Sequence, residues 1–315
     1  MAPRLRSGQA EPLGAGLDYF DLKFLGEPEI IATGLLRGAG GVALIDPGPS
    51  TTLDTLTAAL ADRGAKVADI RAILLTHIHL DHAGAVGTLI AGCPAATVYV
   101  HEAGAPHLVD PAKLLVSAAR LYGADMDRLW GEVRPVPVDR IQVIGDTTLN
   151  VVGHTIEVAK TPGHASHHVS FFFPNAGVAF VGDTAGICRS SGRIVLPPTP
   201  PPDIDLEAWR TSTQRILAWN PDTLFLTHFG PHRSPRVHFG DMWTRMDDWS
   251  RRVRAQLQQP GDDAERARVF TEDVMTDLAR ATSREEAMAY AHAGRFDFSW
   301  MGLARYWKKR LQVKG

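Results

Sequence analysis

The run Ala72-Ile-Leu-Leu-Thr-His-Ile-His-Leu-Asp-His82 constrains this chain more than any other. Its first four residues are apolar and read as a buried strand. Three histidines (His77, His79, His82) and a carboxylate (Asp81) then fall within six residues. Side chains two apart on extended backbone point the same way, so His77 and His79 can converge on one point. A turn at Leu80 swings Asp81 and His82 toward a second. Imidazole and carboxylate are natural ligands of zinc, iron and manganese. A metal site, with provision for two ions, is outlined at the end of a strand, and it points to hydrolysis.

The flanking sequence places that strand in a layered α/β domain. Residues 42–46 read as a strand ending in Pro47-Gly48-Pro49. Ser50 has the character of a helix cap, with Leu53, Leu56 and Leu60 on one face and Gly64 as the stop. After the histidine run, a helix is expected from Ala83 to about Gly92, then a strand over 96–100. Residues 103–130 carry Leu114, Leu115, Ala118, Leu121 and Tyr122 at helical spacing, followed by Leu129 and Trp130. They read as a helical insertion. From 141 to 182 the chain turns β-rich, with strands expected at 155–159, 169–173 and 178–181 and a hairpin turn at Asn175-Ala-Gly177. A proline-rich connector at 196–202 leads to a helix with Leu206, Trp209, Thr213, Ile216 and Leu217 inward. Residues 223–226 form a last short strand. Beyond about 235 only helices are expected, one of them opened by the capping pair Ser283 and Glu286.

Bulk composition excludes several functions. A net charge of −2 gives no basic field for nucleic acid or an anionic membrane. Cations of the last helix (Arg305, Lys308, Lys309, Arg310, Lys314) suit a helix C-terminus. No apolar run approaches the ~18 residues that span a bilayer. Met1–Arg6 lacks the apolar core of a signal peptide. Cys93 and Cys188 have no metal or redox spacing and read as thiols of a reducing compartment. A cytoplasmic protein acting on a small molecule is the expectation.

Three further ligand candidates sit where expected strands give way to loops: His164 in Thr-Pro-Gly-His, Asp183 in Val-Gly-Asp-Thr and His228 in Leu-Thr-His. With Asp46 in Ile-Asp-Pro-Gly and the run Thr76-His-x-His-x-Asp-His82, the chain resembles the metallo-β-lactamase-fold hydrolases, and within them the glyoxalase II-like branch. The ordered set spans residues 20–235. This resemblance implies a four-layer αββα sandwich over 1–235, with the insertion at about 103–130 and a helical extension over 236–315 packed on it. It implies that His77, His79 and His164 hold one metal, that Asp81, His82 and His228 hold a second, and that Asp183 bridges them. Asp46 resembles the acid that orients ligands without binding metal. The presence of both Asp81 and His228 favours two divalent ions, zinc first, with iron or manganese open. A homodimer is a family-based expectation.

Such ions can share a hydroxide, because metal binding lowers the pKa of water from about 15.7 to near ~7. Asp81 and Asp183 would hold it in register for attack on a small thioester, ester or lactone. The C-terminus does not match the glutathione-binding pattern of glyoxalase II. The tyrosine that lactonases place after the bridging aspartate is replaced by Thr184-Ala-Gly-Ile. Alternatives on the same scaffold are a one-iron oxygenase of the persulfide dioxygenase type, a phosphodiesterase, or promiscuous β-lactam cleavage. Tyr122 and Trp130 are candidate pocket residues, His168 a candidate support behind the metal site, and His232 a candidate substrate contact. His167 is expected to face away. His101, His107, His154, His238 and His292 read as surface or packing residues.

Overall fold

The computed structural model describes residues 11–189 and 194–312, so Met1–Arg6 and Lys314 lie outside it. Among the described residues thirteen strands form two sheets. The first has the order β1 (Glu11–Gly14), β2 (Leu17–Asp21), β3 (Ala32–Gly38), β4 (Gly41–Ile45), β5 (Ile70–Leu74), β6 (Thr97–His101) and β7 (Ile141–Ile144). The second runs β13 (Gly230–Arg233), β12 (Thr223–Leu226), β11 (Val178–Phe180), β10 (Val169–Phe173), β9 (His154–Lys160) and β8 (Thr147–Val151). Strands β4 to β7 pair in parallel, as do β11 and β12. Parallel neighbours require crossovers, and these carry helices onto the outer faces.

Side-chain alternation shows how the layers are glued. Ala43 and Ile45 on β4 join Phe171 and Phe173 on β10 in an apolar layer between the sheets. Val42 and Leu44, one residue out of step, face a second cluster with Leu56 and Leu60 of α1 (Leu53–Ala61). Phe172 faces a third cluster with Trp209 and Ile216. Period-two alternation on strands buried on both faces therefore yields the expected αββα order.

Two short helices, α2 (Leu80–Ala83) and α3 (Val86–Gly92), replace the single one expected from Ala83. The first begins at Leu80, so Asp81 and His82 lie in a helical turn. Ser50 is not the side-chain cap of α1; its hydroxyl donates to the carbonyl oxygens of Gly84 and Glu132. The insertion forms α4 (Ala105–Val109), α5 (Ala112–Tyr122) and α6 (Met126–Trp130). After α7 (Leu206–Ala218) and the last strands come α8 (Pro235–Gln256), α9 (Asp263–Ala281), α10 (Arg284–Ala293) and α11 (Phe296–Gln312). Met242, Trp249, Phe270 and Trp300 of these helices share one core with Leu224 and Leu226 of β12. Among the described residues no helix is long and apolar enough to cross a membrane.

Candidate metal centre

The ligand candidates converge because most of them follow strand ends, β5 in one sheet and β9, β11 and β12 in the other. His77 lies three residues past β5, His164 four past β9, Asp183 three past β11 and His228 two past β12. Gly182 makes the Asp183 turn possible. Its φ is +46°, and a Cβ there would sit 2.6 Å from both His168 Nε2 and Thr76 Oγ1.

Ring nitrogens on one side form a tight triad. His79 Nδ1 lies 3.0 Å from His77 Nε2 and 3.0 Å from His164 Nε2. The protons on the two partner rings are already committed. His164 Nδ1–H donates to the Pro198 carbonyl, 2.9 Å away. His77 Nδ1 meets Thr76 Oγ1 at 3.1 Å, and that hydroxyl donates onward to Asp46 Oδ2 at 2.7 Å. In the neutral rings, the Nε2 atoms therefore offer lone pairs to the centre of the triad. Burial, then repulsion from His82, holds His77 well below the usual histidine range; burial, then His164, lowers His79 to about 3. Neutral imidazoles facing one another suit a divalent cation.

The other side holds Asp81, His82 and His228. His228 Nε2 lies 3.3 Å from Asp81 Oδ2, and its Nδ1–H donates to the Ile30 carbonyl at 2.6 Å. Asp183 stands between the two groups. Its Oδ2 is 3.3 Å from His164 Nε2, and its Oδ1 is 3.2 Å from His82 Nε2 and 3.5 Å from His228 Nε2. Burial opposes charge on His82 and His228, but the surrounding carboxylates outweigh it and raise both. Burial works against Asp81 as well, yet His82 and His228 bring it down to about 2.

Two atoms here, His82 Nε2 and Asp183 Oδ1, are fully buried and face each other at 3.2 Å without forming a hydrogen bond to one another or to any other group. Unsatisfied buried polar atoms are costly, and a shared cation would satisfy both. The donor set thus fits metal binding. Ligand atoms of His77, His79 and His164, and likewise of Asp81, His82 and His228, lie within 4.8 Å of one another.

Supporting contacts fix these rings. Asp46 accepts from His82 Nδ1–H, the Thr76 amide, the Thr76 hydroxyl and the Thr227 hydroxyl, all within 2.9 Å. His168 is buried behind Asp183. Its Nδ1 meets Thr161 Oγ1 at 2.9 Å, and its Nε2 accepts from the Asp183 amide at 3.3 Å.

Tyr122 and Trp130 line a cavity that reaches Asp81 and Asp183. His232 is not brought to that cavity. It pairs across β12 with Leu224, on the helix-covered face, and its Nε2–H points at the carbonyls of Cys188 and Phe229. Its ring sits beside His238, whose Nε2–H donates to the Ala185 carbonyl at 2.7 Å. His167, expected to face away, instead lines the cavity with its ring 5.7 Å from that of His79. Residues 164–168 form a loop, where strand alternation has no authority. His107 and His292 also line the cavity. Sequence reasoning missed the carbonyls of Ile30 and Pro198, because any residue type supplies a carbonyl.

Fold and centre together define a class, and comparison with known proteins agrees. A family model described as the metallo-beta-lactamase superfamily matches residues 26–228. The chain belongs to that superfamily and is a metal-dependent hydrolase. It is 28% identical over 207 residues to the metallo-beta-lactamase fold-containing protein ST1585 of Sulfurisphaera tokodaii, covering 64% of this chain and 74% of that one. It is 30% identical over 148 residues to a hydroxyacylglutathione hydrolase of Synechococcus sp., covering 46% of this chain and 45% of the relative. The chain thus spans about half the length of that relative. The crystal structure of the metallo-beta-lactamase family protein TTHA1429 from Thermus thermophilus superposes with a TM-score of 0.72 over 95% of both chains, at 22% identity.

Proposed function

We propose that this protein is a dinuclear metallohydrolase acting on a small thioester, ester or lactone. The observation that carries this reading is the presence of two three-residue ligand groups with the Asp183 carboxylate reaching both, its buried Oδ1 facing His82 Nε2 without a hydrogen bond. His77, His79 and His164 would hold one cation, zinc by preference. Asp81, His82 and His228 would hold the other, with Asp183 reaching both. Cations so held supply an acidified water and positive charge to polarise a carbonyl oxygen. Asp81 is the more accessible carboxylate, its side chain 25% exposed against 5% for Asp183. It orients a water entering from the cavity. Asp46, through His82, and the carbonyls of Pro198 and Ile30, through His164 and His228, keep the rings aimed and reduce reorganisation during reaction. No nucleophilic serine or cysteine is needed, and both cysteines are buried.

Completeness of the second ligand group disfavours the one-iron oxygenase, which needs only two histidines and a carboxylate. The test is elemental analysis of protein purified without added metal, paired with thioester, lactone and phosphodiester substrates. About two ions per chain with metal-dependent carbonyl-ester turnover is the expected result. One iron per chain, oxygen consumption and no hydrolysis would overturn the reading.

A further inference from the structure

The metal centre opens into a cavity of about 830 Å³. Pockets for drug-sized ligands occupy ~300–1,000 Å³, so this one holds far more than a scissile carbonyl. Three distant stretches wall it: Phe24 and Leu25 after β2, Leu114 and Leu121 on α5, and Phe296 and Phe298 at the start of α11. Aromatic contacts join these walls into one apolar surface. Trp130 stacks on Phe24 at 5.6 Å, and Tyr122 meets Trp130 at 5.0 Å and Phe298 at 5.4 Å edge-on. Leu25 is held at φ +54° and remains 46% exposed.

The cations of the cavity are mostly committed elsewhere. Arg128 pairs with Asp125 at 3.0 Å. Arg295 pairs with Asp297 at 2.7 Å and lies over the Phe298 ring. Among the described cavity residues only Lys113 offers a lysine or arginine charge without an ion pair. A polyanionic handle calls for several free cations with fork geometry, and they are absent from this set.

We infer that the cavity is a subsite for a hydrophobic chain flanking the scissile carbonyl, making the substrate an ester, thioester or lactone with a medium-length aliphatic substituent. This rests on the hydrolase reading above and adds the substrate class. Walls contributed by the insertion and by the helical extension are then the determinants of specificity.

Two substrate series test it on the metal-loaded full chain. In one, the acyl group grows from acetyl through butyryl and hexanoyl to octanoyl on a constant short thiol. In the other, acetyl is constant and the alkyl thiol grows. In one of the two, kcat/KM should rise about fourfold per methylene until the cavity is filled, the equivalent of ~0.8 kcal/mol per buried methylene. That series tells which side of the carbonyl the subsite serves. Octyl alcohol, which cannot be hydrolysed, should bind calorimetrically and compete with the longer substrates. Leu121→Gln, at a half-buried position, should flatten the chain-length slope and weaken octyl alcohol binding; Phe298→Ala provides the same readout from the opposite wall.

Turnover of acetyl thioester with flat profiles in both series would overturn the subsite and leave the hydrolase standing. Octyl alcohol binding with no turnover of any ester would overturn the hydrolase and leave the subsite standing. Neither binding nor turnover would overturn both.

Discussion

The metal centre and the cavity above it touch, yet they are assembled by different means. Most centre residues lie within a few positions of a strand end: Asp46 directly after β4, His77 after β5, Asp183 after β11 and His228 after β12, while Asp81 and His82 sit in the short helix α2 that follows β5. The sheets fix where each of these short segments leaves the sandwich, and buried hydrogen bonds such as those of Asp46 and the Pro198 and Ile30 carbonyls then aim the side chains. The cavity walls come from a loop, an insertion and a distant helix that meet only through tertiary packing. Catalytic geometry is therefore borne by the sandwich, whereas specificity is borne by elements that can change without disturbing it.

The largest expected effect lies at the centre. His79→Ala removes the nitrogen that lies 3.0 Å from both His77 and His164. Hydrolysis should be abolished and bound metal should fall, while far-ultraviolet circular dichroism stays native. Full turnover in this variant would break the division between centre and walls.

A smaller loss is expected one contact out. Asp46→Asn replaces two acceptor oxygens by one acceptor and one donor, against four converging donors. Losing such an orienting partner typically costs 10–100-fold in metal affinity or activity, roughly the range expected here. Competition with a chromophoric chelator measures it; wild-type affinity would show that His82 is held by packing alone.

These two residues also show what could be read in the sequence. His79 and Asp46 are legible because metal sites draw on histidine and carboxylate, and both fall in short polar runs directly following apolar strand-like stretches. The sandwich was legible wherever strands are buried on both faces, as with β4, β5 and β10. Strand β7 fell inside the β-rich stretch but was not delimited, because Ile141-Gln-Val-Ile144 is only four residues long and the exposure of both Gln142 and Val143 breaks any inside–outside alternation. His232 was misplaced because spacing from His228 says nothing about a β-turn that reverses the chain. Antiparallel pairing with Leu224 puts it on the helix side of the sheet. Leu25 and Phe298 as cavity walls were beyond reach, since no local pattern records which distant surfaces will meet.

A third prediction concerns acid stability away from the centre. Burial lowers His238 to about 4, and its neutral ring donates to the Ala185 carbonyl. An unfolded histidine titrates near ~6.5. A depressed folded pKa contributes stability that is present above ~6.5 and lost as pH falls toward 4. The gap is about 2.5 units, or roughly 3 kcal/mol at ~1.36 kcal/mol per unit. His238 is only 6% exposed, so screening by solvent is slight. Urea unfolding at neutral and acidic pH should show His238→Gln losing less stability on acidification than the wild type, by up to about 3 kcal/mol. Equal losses would place the acid sensitivity in the centre instead.

The smallest effect tests the far side of the walls. Ser283 caps α10, its hydroxyl oxygen accepting from the Glu286 amide at 3.1 Å. Helix α10 ends at Ala293, just before the cavity residues Arg295, Phe296 and Phe298. Replacing such a cap by alanine typically costs ~1 kcal/mol. If α10 positions the α11 wall, Ser283→Ala should weaken octyl alcohol binding slightly along with the stability loss, while metal content stays at the wild-type value. If the wall is instead anchored by the core contacts of Trp300 and Leu303, stability falls and binding does not. The second outcome would divide the helical extension itself into a part that shapes the cavity and a part that only supports the fold.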